Sequence, residues 1–327
     1  DALGQSIATS LLPTIEPKNG SSIYTSIDKR LQEVVQEEIK RGVEKYQAQT
    51  GTIIVMDPKT GQILALANYP DYDPNARDSK DPNVYGDLAV TSPYENGSTG
   101  KALTISTAID SGVLNPEDII MTNGHQGCEQ LPIQGLGPLC TWDQQPQPPM
   151  TARDCFAKSD NICFYHIAKR IDKQVFYDHL IAFGVGQPSG IDLADESVGI
   201  PLRTIDKWDE SDIAAFSYGH GYGLNAVQSI DNYATLANFG VKMKPYIVTK
   251  IDSNDGEVKE YKPTPLGRVI KPETAAVMDS LMRYNFSVSI SLNESWFYHL
   301  KNYDLGVKTG TALIADQNGY DSGEVNS

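Results

Sequence analysis

The apolar periodicity of this chain changes twice, and the order of the changes limits the architectures open to it. Gly51–Met56 and residues 62–68 are apolar runs separated by Asp57-Pro58-Lys59-Thr60-Gly61, with Pro and Gly at turn positions, which predicts a β-hairpin. Before it, Ile27, Leu31, Val34, Val35, Ile39, Val43 and Tyr46 recur at helical spacing, with Ser26 as the expected N-cap. A second helix is predicted to begin near Ser98 and run through Ala108, Ile109 and Gly112. Helical patterns resume over 150–183 and 230–238, and strand patterns return around Lys250 and Val307. Residues 69–92 and 122–150, rich in Pro, Gly and polar residues, read as an extended loop and an irregular insertion. Hairpin, helical block and strands again predict a mixed α/β (α+β) fold. An antiparallel sheet is built from both chain ends, with helices packed on it and a helical subdomain inserted.

At 327 residues the chain holds one large domain or two ordinary ones, and 40% hydrophobic residues supply a core. A net charge of −15 with no basic cluster excludes a nucleic-acid binder. No run approaches the roughly 18 apolar residues of a membrane span, and no signal-peptide pattern opens the chain. With Asp1 rather than Met first, any targeting segment is expected to have been removed. Residues 1–20, with Pro13, Pro17 and Gly20, read as a linker, and 21–327 as the folded domain.

For Cys128, Cys140, Cys155 and Cys163 two readings stay open. They form the local disulfides Cys128–Cys140 and Cys155–Cys163 in an oxidising compartment, or they are buried free thiols. Their spacing is not C-x-x-C, and His125 and His166 add no ligand pattern, so no metal is expected.

Three short motifs carry the chemistry: Ser98-Thr99-Gly100-Lys101, Ser159-Asp160-Asn161 and Lys308-Thr309-Gly310. Each has a twin, so context must choose. Ser26-Ile27-Asp28-Lys29 opens a helix, Lys59-Thr60-Gly61 is the hairpin turn, and Ser291-Leu292-Asn293 lies in a polar stretch read as loop. Ser98 and Lys101, three apart at a helix start, share a face. Serine needs a base to become a nucleophile, and lysine serves only when neutral, against an ordinary pKa of about 10.4. Burial and a second cation, Lys308, would lower it. Gly97 allows a tight turn into the helix, whose N-terminus favours developing negative charge. Ser159-Asp160-Asn161 is also readable as a plain helix boundary with an Asx cap. Residues 303–307 read as a strand, from which Thr309 and Thr311 would project to one face while Gly310 lets a ligand approach the backbone.

In this order S-x-x-K, S-D-N and K-T-G resemble the motif set of penicillin-recognising serine enzymes. The resemblance extends to Tyr24-Thr25-Ser26-Ile27-Asp28 with Leu31-Gln32, to the hairpin from Gly51 to Ala65, and to Tyr94-Glu95-Asn96-Gly97-Ser98. It also covers Ser217-Tyr218-Gly219-His220-Gly221 with Gln228 and Ala237-Asn238. From about residue 20 to 315 the chain is similar to the transpeptidase domain of penicillin-binding proteins, of the monofunctional class that joins peptidoglycan stem peptides by D,D-transpeptidation.

That resemblance implies a β-lactamase/transpeptidase-like fold and roles residue by residue. Ser98 would attack the D-Ala–D-Ala carbonyl, with Lys101 accepting its proton. Ser159, with Lys308, would pass a proton to the departing D-alanine, and Asn161 would position the donor peptide. Thr309 and Thr311, flanking Gly310, would hold the terminal carboxylate of the peptide or of a β-lactam. Backbone N–H groups of Ser98 and Thr311 would form the oxyanion hole. The resemblance implies no cofactor. Implied partners are stem peptides ending in D-Ala–D-Ala, β-lactam antibiotics and a glycosyltransferase. The implied location is the extracytoplasmic face of a bacterial membrane, held by an N-terminal anchor and pedestal of which residues 1–20 would be the linker remnant.

The chain departs from the family pattern at Asn96, where Pro is usual, and at Gly100, where Phe is common. Only 15 residues follow Ala312, so the C-terminal strands of the sheet are expected to be incomplete. A serine β-lactamase shares the motifs, but no E-x-x-L-N segment follows Asn161. A D,D-carboxypeptidase and a non-catalytic β-lactam sensor or scaffold are the remaining alternatives.

Overall fold

The computed structural model describes residues 19–75, 85–132, 137–291, 299–313 and 325–326. Most of the expected linker, residues 1–18, lies outside them. In chain order, strand β1 (Ser22–Thr25) precedes helix α1 (Lys29–Tyr46) and the hairpin strands β2 (Gly51–Met56) and β3 (Ile63–Tyr69). A short helix α2 (Leu88–Thr91) and strand β4 (Tyr94–Glu95) lead to α3 (Lys101–Asp110). Strands β5 (Cys128–Glu129) and β6 (Leu139–Cys140) lie in the insertion before α4 (Ala152–Ala157), α5 (Asn161–Ala168) and α6 (Lys173–Ala182). After α7 (Glu210–Ser217) come β7 (Gly223–Leu224), α8 (Ala226–Ala237), β8 (Val241–Met243), β9 (Val248–Asp252), β10 (Val258–Glu260) and β11 (Pro265–Arg268). The long helix α9 (Pro272–Ser291) is followed by β12 (Ala312–Leu313) and β13 (Val325–Asn326).

These elements fall into two compact units. The small one is a three-stranded antiparallel sheet in which β9 lies between β1 and β10, with Ile23 opposite Ile251 and Lys259 opposite Ile251 on the other side. Lys250 covers the ring of Tyr24 at 3.8 Å, a cation–π contact within that sheet.

The larger unit begins with α1, capped by Asp28 and not by Ser26. Asp28 accepts the Leu31 N–H at 3.0 Å, whereas the Ser26 hydroxyl donates to the carbonyl of Ile63 at 2.6 Å. The carboxylate wins the cap because it sits directly before the first helical residue, an arrangement worth about 1 kcal/mol. Val35, Ala65 and Ala67 form the buried seam between α1 and the hairpin, joined by Leu31, Ile39, Ile53 and Val55. The turn of that hairpin is built by Asp57, which accepts from Lys59 N at 2.9 Å and from the Thr60 hydroxyl at 2.8 Å. Lys59-Thr60-Gly61 is therefore occupied in turn formation.

Strands of the larger unit pair antiparallel in short groups: β2 with β3, β4 with β7, β5 with β6, β8 with β11 and β12 with β13. Two expectations near the C-terminal end fail. Residues 303–307 form no strand: Tyr303 N bonds back to Leu300 O at 2.8 Å, and the Val307 backbone is engaged by α9, with Val307 N donating to Met282 O and Asn285 Nδ2 to Val307 O, both at 3.2 Å. Ser291, read as loop, is the last residue of α9, where its hydroxyl bonds back to the carbonyl of Val288, as the Ser287 hydroxyl does to that of Tyr284. Leu292 and Asn293 lie outside the described residues.

The principal core surrounds α3, which is buried on every side from Lys101 to Ala108. Ala102, Leu103, Ile105 and Ala108 pack among Phe164, Ile167, Phe176, Leu180, Phe216, Met278 and Leu281 from α5, α6, α7 and α9. Such burial demands that the polar residues of α3 find internal partners. Thr104 donates to Ser217 O at 2.9 Å, and Ser106 and Thr107 donate back to Leu103 O at 2.9 and 2.8 Å. At the far end Asp110 accepts from Lys271 N and the Thr274 hydroxyl, both at 2.7 Å, fixing the start of α9.

Candidate active site

Ser98 lies in a single 3₁₀ turn, Gly97–Thr99, at the mouth of α3, with Lys101 as the first residue of the helix proper. The turn is tight because Gly97 takes φ +52°. A Cβ there would stand 2.4 Å from the carbonyl oxygen of Thr311, so only glycine lets the segment after Lys308 lie against the Ser98 turn. Gly310 meets the same turn from the other side, its notional Cβ 2.9 Å from Thr99 N. Gly219 completes the junction: its carbonyl accepts Gly97 N–H at 3.0 Å, and a Cβ on Gly100 would fall 2.7 Å from the Gly219 Cα and 2.6 Å from the Tyr222 hydroxyl. Gly100, an apparent departure in sequence, is thus required by its packing. Asn96, the other departure, donates to the Ser229 hydroxyl at 2.6 Å and so joins the turn to α8.

The second motif occupies the turn between α4 and α5. Asp160 caps α5 by accepting Cys163 N–H at 2.8 Å, and Ser159 before it adopts a left-handed φ of +55°. The helix-cap reading holds, and the same three residues also turn Ser159 and Asn161 toward Lys101. Non-glycine residues in this conformation cost on the order of 1–3 kcal/mol, so the surroundings must enforce it. A disulfide between Cys155 and Cys163 spans the turn, and a second joins Cys128 to Cys140 across β5 and β6.

Lys101 brings the motifs together. Its Nζ lies 2.8 Å from Ser98 Oγ, 2.7 Å from the Ser159 carbonyl, 2.7 Å from Asn161 Oδ1 and 3.2 Å from Ser159 Oγ. Lys308 Nζ donates to Ser159 Oγ at 2.9 Å and to the Thr309 carbonyl at 2.8 Å. The Ser159 hydroxyl therefore sits between two amines. Thr309 and Thr311 are exposed, on the open side of this cluster.

The electrostatics favour a neutral Lys101. It is wholly buried, and desolvation first, then the charge of Lys308, push its pKa well below that of an ordinary lysine, with Asp160 opposing. A neutral amine has two N–H donors and one lone pair. The Ser159 carbonyl and Asn161 Oδ1 can only accept, so they take both donors and the lone pair is left for a hydroxyl. Ser98 Oγ is the nearer hydroxyl, placed to surrender its proton. Lys308 is lowered to about 8 by burial around its amine and remains a cation at neutral pH.

Sequence reading missed several supports of the site. The Glu95 carboxylate accepts Gly221 N–H at 2.8 Å and pairs with His220 Nδ1 at 2.8 Å, tying the residues before Ser98 to the turn at Gly219. His125 pairs with Asp160, and Asn161 Nδ2 donates to Cys140 O at 3.0 Å. These partners are remote in the chain, and only the clustering of the cysteines around Ser159 hinted at them.

Known proteins resemble this chain in sequence and in fold. Residues 51–327 match the penicillin binding protein transpeptidase domain. The chain is 30% identical over 298 residues to penicillin-binding protein PbpB of Mycolicibacterium smegmatis, covering 90% of this chain and 45% of that protein. To the probable peptidoglycan D,D-transpeptidase PenA of Neisseria meningitidis it is 30% identical over 296 residues, covering 90% and 47%. The chain thus spans about half the length of these relatives. Among solved structures, penicillin binding protein 3 from Mycobacterium tuberculosis, complexed with aztreonam, superposes with a TM-score of 0.74 at 28% identity over 84% of this chain and 60% of that one. The transpeptidase domain of Burkholderia pseudomallei penicillin-binding protein 3 gives 0.75 at 26% identity, over 92% and 81%. The chain belongs to the penicillin-binding protein transpeptidase family.

Proposed function

We propose that this chain is the acyl-transferring domain of a peptidoglycan D,D-transpeptidase, acting through a Ser98 acyl-enzyme and inhibited covalently by β-lactams. The observation that carries the reading is Lys101 Nζ at 2.8 Å from Ser98 Oγ, with its donors already engaged by Ser159 and Asn161. Ser98 Oγ attacks the carbonyl carbon between the two D-alanines, and its proton passes to Lys101. The oxyanion is held by the backbone N–H groups of Ser98 and Thr311, a contribution usually of about 3 kcal/mol. As the C–N bond breaks, the Ser159 hydroxyl protonates the departing nitrogen and is resupplied from the amine of Lys101 or Lys308. Asn161 positions the donor peptide. Exposed Thr309 and Thr311, with the Lys308 cation, anchor the terminal carboxylate, and Gly310 keeps the strip flush with the Ser98 turn. An amine of a second stem peptide then attacks the ester and frees Ser98.

Such an enzyme works where its substrate lies, on the outer face of the cytoplasmic membrane, held by an anchor and fed by a glycosyltransferase that polymerises the glycan. Covalent labelling by a fluorescent penicillin, wild type against Ser98→Ala, tests the nucleophile: the adduct is expected only in wild type, and label on the Ala variant overturns the assignment. A long-lived adduct separates this activity from a β-lactamase. Cross-linked product, in addition to released D-alanine, separates it from a carboxypeptidase.

A further inference from the structure

The insertion between α3 and α4 grips the Ser159 turn at three of its residues. Lys158 Nζ donates to Gln147 Oε1 at 2.7 Å, Asn161 Nδ2 donates to Cys140 O at 3.0 Å, and His125 Nε2 meets Asp160 Oδ2 at 2.9 Å. The last contact is almost wholly buried, with 4% and 2% of the two side chains exposed. His125 is itself fixed by two backbone hydrogen bonds with Gln147, at 3.0 and 2.9 Å.

The direction of the buried hydrogen bond follows from its neighbour. Gly127 N–H lies 3.0 Å from His125 Nδ1, and a backbone N–H can only donate. Nδ1 is therefore the acceptor, the ring proton sits on Nε2, and Nε2–H donates to Asp160. A helix cap needs only one oxygen of Asp160, the one facing Cys163 N. Without the imidazole the other oxygen would be a buried acceptor with no donor, next to the strained residue Ser159.

We propose that His125 is a positioning residue for acyl transfer: through Asp160 it holds the left-handed Ser159 turn that presents the Ser159 carbonyl and Asn161 Oδ1 to Lys101. This rests on the reading of Ser98 and Lys101 as nucleophile and base. The charged groups facing Lys101 are Asp160 at the start of α5 and Lys308 ahead of β12, and Asp160 is in turn faced by His125. Loss of the imidazole strips a donor from the Asp160 carboxylate, which then holds a proton on Lys101 more strongly.

The test measures the rate of Ser98 acylation by a fluorescent penicillin against pH, on the full chain, for wild type, His125→Ala and His125→Gln. Displacement of a reacting group costs roughly 10- to 100-fold in rate, and that slowing is expected in His125→Ala, with its acid limb moved to higher pH. The Gln amide can accept from Gly127 N–H and donate to Asp160, so His125→Gln is expected to recover most of the rate. Should His125→Ala fail to fold, His125→Met fills the volume without the donor and is expected to be equally slow. A wild-type rate and unmoved acid limb in the Ala or Met variant overturn the inference while leaving the reaction intact. No label on the wild-type protein overturns the acyl-transfer reading and this inference together.

Discussion

Asn161 donates through Nδ2 to the carbonyl of Cys140 at 3.0 Å, and this fixes which way round its amide lies. Because Cys140 O can only accept, Oδ1 must face Lys101, 2.7 Å from its amine. Replacing that neutral oxygen by a carboxylate would stabilise the ammonium form of Lys101. Asn161→Asp is expected to displace the acid limb of Ser98 acylation to higher pH. Once that limb lies above pH 7, the rate at pH 7 falls by about 10-fold for every further pH unit the limb moves. Stopped-flow or gel-based acylation rates across pH check this, and an unmoved limb would separate Asn161 from the protonation of Lys101.

Acylation by the wild type should follow a bell. Lys101 must be neutral, and its depressed pKa means the rate is lost only as pH falls through that lowered value. Lys308 must be a cation, so the rate is lost again as pH rises through about 8. Lys308→Arg keeps its charge far above this range. The variant is expected to lose the alkaline limb near 8 in a pH–rate profile, whatever its absolute rate.

Two left-handed glycines make a controlled comparison. Gly97 and Gly112 have φ +52° and +77°, but a Cβ at Gly112 meets nothing within 4 Å, whereas one at Gly97 meets the Thr311 carbonyl. Gly112→Ala is expected to cost about 1 kcal/mol by thermal unfolding, with acylation unchanged. Gly97→Ala carries the same backbone penalty and also pushes the Thr311 segment off the Ser98 turn, so acylation is expected to fall at least tenfold beyond any change in melting temperature.

The Cys128–Cys140 disulfide closes a short loop around the hairpin whose carbonyl holds Asn161. Replacing both cysteines by serine is expected to destabilise the protein by about 2–3 kcal/mol in denaturant unfolding, the scale for a loop of this length. Acylation is expected to slow as well, because Cys140 O is released. A variant as stable and as fast as wild type would show that the hairpin is held without the bond.

The site was legible where its chemistry is local. Ser98 and Lys101 sit one helical turn apart, and the helix start between them announced their contact. Asp160 was legible as a cap, which also located Ser159 and Asn161. The edge strand predicted over 303–307 was not, because alternation of side chains says nothing about what will bond the backbone. There α9 supplies the partners through Met282 and Asn285, and no neighbouring strand does so among the described residues. Ser291 misled for a related reason: its hydroxyl, like that of Ser287, returns to the helix backbone and so allows a polar run to finish a helix. His125 could not be found from spacing, since its meaning depends on Gly127 and Asp160 arriving at opposite ring nitrogens.

The junction of Gly97, Gly100, Gly219 and Gly310 has a genetic corollary. Three segments far apart in the chain meet there, and a Cβ at any of the four would fall within 3 Å of a neighbouring backbone atom. Every missense change of a glycine codon adds at least a Cβ, so these positions have no conservative neighbour. Heritable variation that tunes the Ser98 turn is therefore expected in side chains near it, such as the exposed Thr309 and Thr311.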